Sequence, residues 1–260
     1  MLVELAKLTV LGASPAWTNP GGAGSGYLLR LGETAIQLEA GSGTLGRLRK
    51  MLPVEQLTAI IISHVHADHF LDLVPMCYGL RYGDLRGGVP LRVFVPPGCV
   101  EFLSNFARAL NGEPDFFSNT FDLAEYPTDS PFVVGGLTFR AAQVQHYISS
   151  YSLRCDVGRG FVFSGDSGPC EELVNAARGA GVLLCEAALT DLANDAPDPK
   201  QRGHLTPAEA AEMAERAGVR RLLLTHFRTD IQNYNTVAAQ ARAHFSGRVT
   251  LVRESRTYSL

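Results

Sequence analysis

The chain has 260 residues, 46% of them hydrophobic, and a formal net charge of -3. No Pro/Gly/Ser-rich linker, charge run or repeat divides it, so residues 1–260 read as one domain with a large core, and the slight acidity offers nucleic acid no global attraction. Its five cysteines are widely spaced with no C-x-x-C pair, which argues against a disulfide framework or a thiolate zinc site and for a reduced compartment.

Leu2 to Leu11 is apolar but broken by Glu4 and Lys7, a first strand rather than a signal peptide. No stretch is long enough to span a membrane, and a cytoplasmic location is expected. After a Gly/Pro/Ser loop, Gly12 to Gly26, the runs Tyr27 to Leu31 and Thr34 to Glu39 predict a hairpin turning at Gly32-Glu33. Gly41-Ser42-Gly43 then opens a helical pattern of Leu45, Leu48, Met51 and Leu52. A tight turn is the simpler reading, although its amides could also offer an anion a helix N-terminus.

The short β-branched run Leu57 to Ile62 predicts a buried strand, and Ser63-His64-Val65-His66-Ala67-Asp68-His69-Phe70 follows at its C-terminal end. Residues two apart share a side of extended backbone. His64 and His66 can therefore grip one ion, while Asp68 and His69, displaced by the following turn, face a second. Capping a helix that begins near Phe70 needs one Asp, and three neighbouring histidines have no capping role. The pattern H-x-H-x-D-H is accordingly read as a metal motif.

Further on, Leu71 to Tyr82 predicts a buried helix despite Pro75, Leu91 to Val95 a strand, and Pro97 to Leu110 a helix. Phe121 to Val144 reads as strands that deliver His146 beyond the last of them. Tyr151 to Val157 and Gly160 to Ser164 form a hairpin pattern ending at Gly165-Asp166-Ser167. Pro169 to Ala180 is helical, Val182 to Cys185 is a buried strand ending at Glu186, and Asp191 to Gly203 is a polar loop able to shape a substrate pocket. Thr206-Pro207-Ala208-Glu209 opens a helix that stops at Gly218, with His204 just ahead of it. Arg221 to Thr225 ends in His226, Thr236 to Phe245 is an amphipathic helix containing His244, and Arg248 to Arg253 is the last strand.

Six of the seven histidines thus fall in loops at element ends. If those loops converge, His64, His66 and His146 complete one metal site and Asp68, His69 and His226 another. Asp166 bridges them, since a carboxylate has an oxygen for each ion.

This order of motifs resembles the metallo-β-lactamase superfamily across nearly the whole chain. A closer likeness to ribonuclease Z and related phosphodiesterases lies in Gly203-His204-Leu205-Thr206, with Ala210 and Ala211, and in Leu223-Leu224-Thr225-His226-Phe227. The resemblance implies an α/β (α+β) fold, the four-layer αββα sandwich, and two zinc ions, with manganese or iron as substitutes. Among the catalytic residues it implies are Asp68, with His204 and Glu186 handling protons beside the metals. Relatives that hold two irons for electron transfer usually replace the second His of the motif, and His66 argues for zinc. Two departures stand out. Ribonuclease Z carries a long tRNA-gripping arm, whereas only 20 positions separate His146 from Asp166, so tRNA processing is not expected and no stable nucleic-acid partner is implied. Glu39 stands where relatives usually have Asp, and its longer side chain should shift the support of the metal loop slightly.

The expected function is a dinuclear zinc phosphodiesterase acting on small anionic esters, cyclic nucleotides being one class. Runners-up are hydrolysis of a sulfate ester, lactone or thioester, ribonuclease Z-like tRNA 3′ processing, which the missing arm disfavours, and a non-enzymatic metal-binding scaffold. The sequence leaves the oligomeric state open, a homodimer included.

Overall fold

The apolar runs pair into two seven-stranded sheets in the computed structural model, which describes residues 5–85, 89–189, 195–196, 198–229 and 234–260. The first sheet holds β1 (Lys7–Gly12), β2 (Gly26–Leu31), β3 (Thr34–Leu38), β4 (Ala59–Ile61), β5 (Leu91–Val95) and β6 (Phe121–Glu125) side by side. In the second, β7 (Phe132–Val134), β8 (Leu137–Val144), β9 (Ser150–Cys155), β10 (Phe161–Phe163), β11 (Val182–Glu186), β12 (Arg221–Thr225) and β13 (Arg248–Leu251) also follow chain order. A last strand, β14 (Thr257–Ser259), returns to pair antiparallel with β1.

Each sheet is half antiparallel and half parallel. The loop from Gly12 to Gly26 joins β1 to β2, and short turns join β2 to β3 and β7 through β10, all of them antiparallel pairs. Parallel neighbours need a crossover. The helices supply it: α1 (Thr44–Leu48) leads from β3 to β4, α2 (Ala67–Phe70) and α3 (Leu73–Tyr82) from β4 to β5, and α4 (Cys99–Asn111) from β5 to β6. In the second sheet α5 (Glu171–Ala177), α6 (Pro207–Ala217) and α7 (Tyr234–Arg242) connect the parallel strands β10 to β13.

Alternation along the strands sets the layers. Leu38, Ile61, Phe163, Leu184 and Leu223 point between the sheets into one buried core. Ile60, Val93 and Val95 meet Leu48, Leu73 and Leu103 of the first helical layer. Leu183, Leu222 and Leu224 meet Leu173, Ala210 and Val237 of the second. The result is the αββα sandwich.

Several boundaries differ from the sequence reading. The helix after the metal motif starts at Ala67, not near Phe70, so Asp68 and His69 sit in its single turn rather than in a loop. Helix α1 stops at Leu48, and Met51 lies in the following turn, 40% exposed. Pro75 is harmless because it occupies the first turn of α3, where no intrahelical donor is needed. The last expected strand ends at Leu251, α7 ends before His244, and β14 escaped notice because Thr257 and Ser259 are polar. Residues 2–4 of the expected first strand, and 191–194 and 197 of the expected pocket loop, lie outside the described residues.

Candidate metal centre

Parallel strands present their C-terminal ends to one edge of the sandwich, and ligands of such sheets gather there. Beyond β4 come His64 and His66, beyond β8 His146, beyond β10 Asp166, and beyond β12 His226. The structure brings all of them together with Asp68 and His69. In one group, His64, His66, His146 and Asp166 offer ligand atoms within 4.8 Å of one another, and in the other Asp68, His69, Asp166 and His226 do the same. Asp166 belongs to both. Its Oδ2 lies 3.3 Å from His69 Nε2, 3.3 Å from His226 Nε2 and 3.6 Å from His64 Nε2, so the carboxylate faces both groups.

The outward ring nitrogens are already engaged. His64 Nδ1 meets Ser63 Oγ at 2.9 Å, His69 Nδ1 meets Glu39 Oε2 at 3.0 Å, His226 Nδ1 meets Ser25 Oγ at 2.9 Å, and His146 Nδ1 donates to the Gly203 carbonyl at 2.7 Å. Such bonds fix the orientation of an imidazole and turn its other nitrogen toward a metal. That other nitrogen is left wanting: His64 Nε2, His69 Nε2, His226 Nε2 and Asp68 Oδ2 are buried without a hydrogen-bond partner. Buried polar atoms are rarely orphaned. Three imidazole nitrogens facing a shared carboxylate, with Asp68 beside them and nitrogen and oxygen donors only, fit divalent cations of the zinc type.

Residues 35–227 match the family model described as Beta-lactamase superfamily domain. The chain belongs to the metallo-β-lactamase superfamily. It is 34% identical to the uncharacterized protein ML1173 of Mycobacterium leprae, across 99% of this chain and 90% of that relative. It is 26% identical to the probable metallo-hydrolase YhfI of Bacillus subtilis across 95% of this chain and 97% of the relative. The crystal structure of YhfI superposes with a TM-score of 0.84, at 24% identity, covering 97% of this chain and 99% of that one. A ribonuclease Z of Salinispora arenicola is 27% identical over 91% of this chain and 90% of its own length.

Within this metallo-β-lactamase fold the two groups differ electrostatically. Burial pushes His64 well below the ordinary histidine range and lowers His66 and His146 as well, so these three rings are neutral ligands at neutral pH. Burial opposes charge on His69 too, but Asp166 and Asp68 overcome it and hold its pKa well above the usual value. Asp166, whose burial disfavours its charge, is nevertheless held well below the carboxylate range by His226 and His69. The second group thus keeps a proton that a cation must displace.

Glu39 performs the support expected of it despite its extra methylene. Its Oε1 accepts from the Ser63 amide at 2.8 Å while Oε2 holds His69. Its backbone sits in the left-handed region at φ 62, as does His226 at φ 55, conformations that cost about 1–3 kcal/mol and persist only where the surroundings enforce them. Glu39→Gln is expected to weaken metal binding at the second group roughly 10- to 100-fold. Competition with a chromophoric chelator measures this, and unchanged affinity would show that Glu39 merely fills space.

Sequence reasoning missed Ser25 and the part played by the glycine loops. A Cβ on Gly41 would lie 1.9 Å from the Asp68 carbonyl and one on Gly24 2.7 Å from it. Only glycine lets these two strands of chain clasp the metal helix, with the Ser25 amide donating to Asp68 O at 3.0 Å. The tight turn at Gly41-Ser42-Gly43 leads into α1, and the protein's own Asp72 meets an amide there, its Oδ2 accepting from the Leu45 amide at 2.6 Å. Both loops read Ala-Gly-Ser-Gly, Ala23 to Gly26 and again Ala40 to Gly43, and that repeat was the available signal.

Beside the centre, His204 Nδ1 meets Glu186 Oε1 at 2.8 Å, and its ring centroid lies 5.0 Å from that of His146. Glu186 is fixed in turn by the Ser167 amide at 3.0 Å and the Ala188 amide at 2.8 Å. The capping box of α6, Thr206 with Glu209, secures the chain just past His204, and Glu209 also pairs with buried Arg202. Burial would lower the His204 pKa, but Glu186 raises it to about 9. His204 and His226 open onto a cavity of about 430 Å³ lined also by Trp17, Tyr147, Leu189, Asp195 and Arg228. His244 lies apart and pairs with Glu212 at 3.0 Å.

Proposed function

We propose that this hydrolase is a dinuclear zinc phosphodiesterase acting on small phosphodiesters, cyclic nucleotides among them. The observation that carries the reading is the pair of donor groups sharing Asp166, with the His204–Glu186 pair at the mouth of a cavity. When bound, two such ions supply water activation and charge stabilisation for in-line displacement at phosphorus. The chain's own groups do the rest. His64, His66, His146, Asp68, His69, His226 and Asp166 hold and orient the centre, and Glu186 fixes His204, whose free nitrogen gives a proton to the departing oxygen.

Small substrates fit better than tRNA. The interval between His146 and Asp166 is occupied by β9 and β10, inside the sheet, so it supplies no arm to follow a nucleic-acid backbone. Among the described residues no helix is long and apolar enough to cross a membrane. All five cysteines are free, which supports a cytoplasmic location.

Screening the zinc-loaded protein on cyclic nucleotides, bis(p-nitrophenyl) phosphate, a lactone, a sulfate ester and a precursor tRNA tests the reading. Phosphodiester hydrolysis is expected to dominate, with the tRNA processed poorly or not at all. Faster turnover of the lactone or sulfate ester would assign another ester class, and efficient cleavage at a tRNA 3′ end would overturn the size argument.

A further inference from the structure

Trp17 is the chain's single tryptophan, yet it stands 58% exposed. Such a ring left in water forgoes a large burial term, and its position suggests what it is kept for. It lines the cavity onto which His204 and His226 open. The guanidinium of Arg228 lies 4.7 Å from its ring centroid, a cation–π contact that sets the plane of the indole.

The loop bearing Trp17 is anchored to the metal centre. Asn19 Nδ2 donates to the Phe227 carbonyl at 3.1 Å, and its Oδ1 accepts from the Thr229 amide at 2.9 Å. Asn19 thereby ties the tryptophan loop to the segment that carries His226. A second ring, Tyr147, follows His146 directly. Its hydroxyl donates to Asp195 Oδ2 at 2.7 Å, and it lies so close over Gly203 that a Cβ there would meet it at 2.5 Å. Two aromatic rings on fixed mounts therefore border the space next to the proposed leaving-group acid.

We propose that this cavity is a subsite for a planar nitrogen heterocycle, the nucleobase of a mononucleotide phosphodiester, stacked on Trp17 with Tyr147 as the second aromatic contact. The proposal rests on the phosphodiesterase reading of the metal centre and deepens it. The lining separates this ligand from an acyl chain. Among the described residues, aliphatic contact is confined to Leu189 and small residues, whereas Asp195 and Arg228 give the polar partners that a heterocycle's edge needs. At about 430 Å³ the cavity falls within the ~300–1,000 Å³ of small-molecule sites.

Because no other tryptophan emits, the fluorescence of the zinc-loaded protein reports on this wall alone. Titration with adenosine 5′-monophosphate is expected to quench it saturably, while ribose 5-phosphate leaves it unchanged. Trp17→Ala is expected to raise the KM for a cyclic nucleotide roughly 5- to 150-fold, the range for losing one base–aromatic stack. Trp17→Phe should recover most of that. The preference for the cyclic nucleotide over a base-free cyclic ribose phosphate should narrow by the same factor in the alanine variant. Cyclic-nucleotide hydrolysis without any nucleotide-induced quenching, or equal losses on both cyclic substrates, would overturn the subsite and leave the phosphodiesterase reading standing. Quenching by the mononucleotide in a protein that hydrolyses no phosphodiester would support the subsite and remove that reading instead.

Discussion

Asp166→Ala is expected to reduce bound zinc from about two ions per chain to fewer than one, and phosphodiester hydrolysis to background. Asp166 is the sole carboxylate of the first donor group and shares the second with Asp68. A unit charge acting across about 4 Å at an effective dielectric of about 20 is worth about 4 kcal/mol, near 10³-fold in affinity, and the missing anion faces both groups. Asp166→Asn keeps the shape and one oxygen but not the charge, so it should retain more metal than the alanine variant and less than the parent. Elemental analysis after dialysis measures all three. Loss of one ion alone would make Asp166 a ligand of a single site, and full retention would remove it from the centre.

The ligand motif was legible because imidazoles crowded into six positions have few structural uses, and because each remaining candidate stood at the end of an apolar strand. Strands that run in one direction end on one edge, whether paired in parallel as β10 and β12 are with β11, or separated by an antiparallel neighbour as β8 is from β10. So His146, Asp166 and His226 arrive beside His64 although they are far away in sequence. Less legible were features that depend on backbone approach. Nothing in Gly24 or Gly41 announces that the Asp68 carbonyl passes within contact distance. Ser25 looks like one more small loop residue until β2 carries it beneath His226. Helix α2 was misplaced because a single turn has no periodicity to read, and β14 because an edge strand packed on one side needs few apolar residues. Trp17 and Tyr147 lie in irregular segments, where no spacing rule foretells that two rings will share one cavity.

His204→Ala is expected to separate proton donation from metal binding. A general acid contributes about 10²- to 10⁴-fold when the leaving oxygen is basic and little when it is already stable. The variant should keep its metals and much of its activity on bis(p-nitrophenyl) phosphate, whose phenolate departs easily, and lose that factor on a cyclic nucleotide, which must expel a ribose oxygen. Glu186 is the positioning residue for this acid, and pH distinguishes its role from simple packing. Burial works against the imidazolium, and the Glu186 carboxylate raises the His204 pKa to about 9 in the metal-free chain. The acid works while protonated, so cyclic-nucleotide hydrolysis should decline as pH rises through the His204 pKa, which bound cations bring below that value. Glu186→Gln removes the anion but keeps hydrogen-bonding capacity, and should move this decline to lower pH while the bis(p-nitrophenyl) phosphate profile stays put. Equal losses on both substrates in His204→Ala would place the residue in binding or folding. An unshifted profile in Glu186→Gln would show that the 2.8 Å contact between the two does not tune the acid.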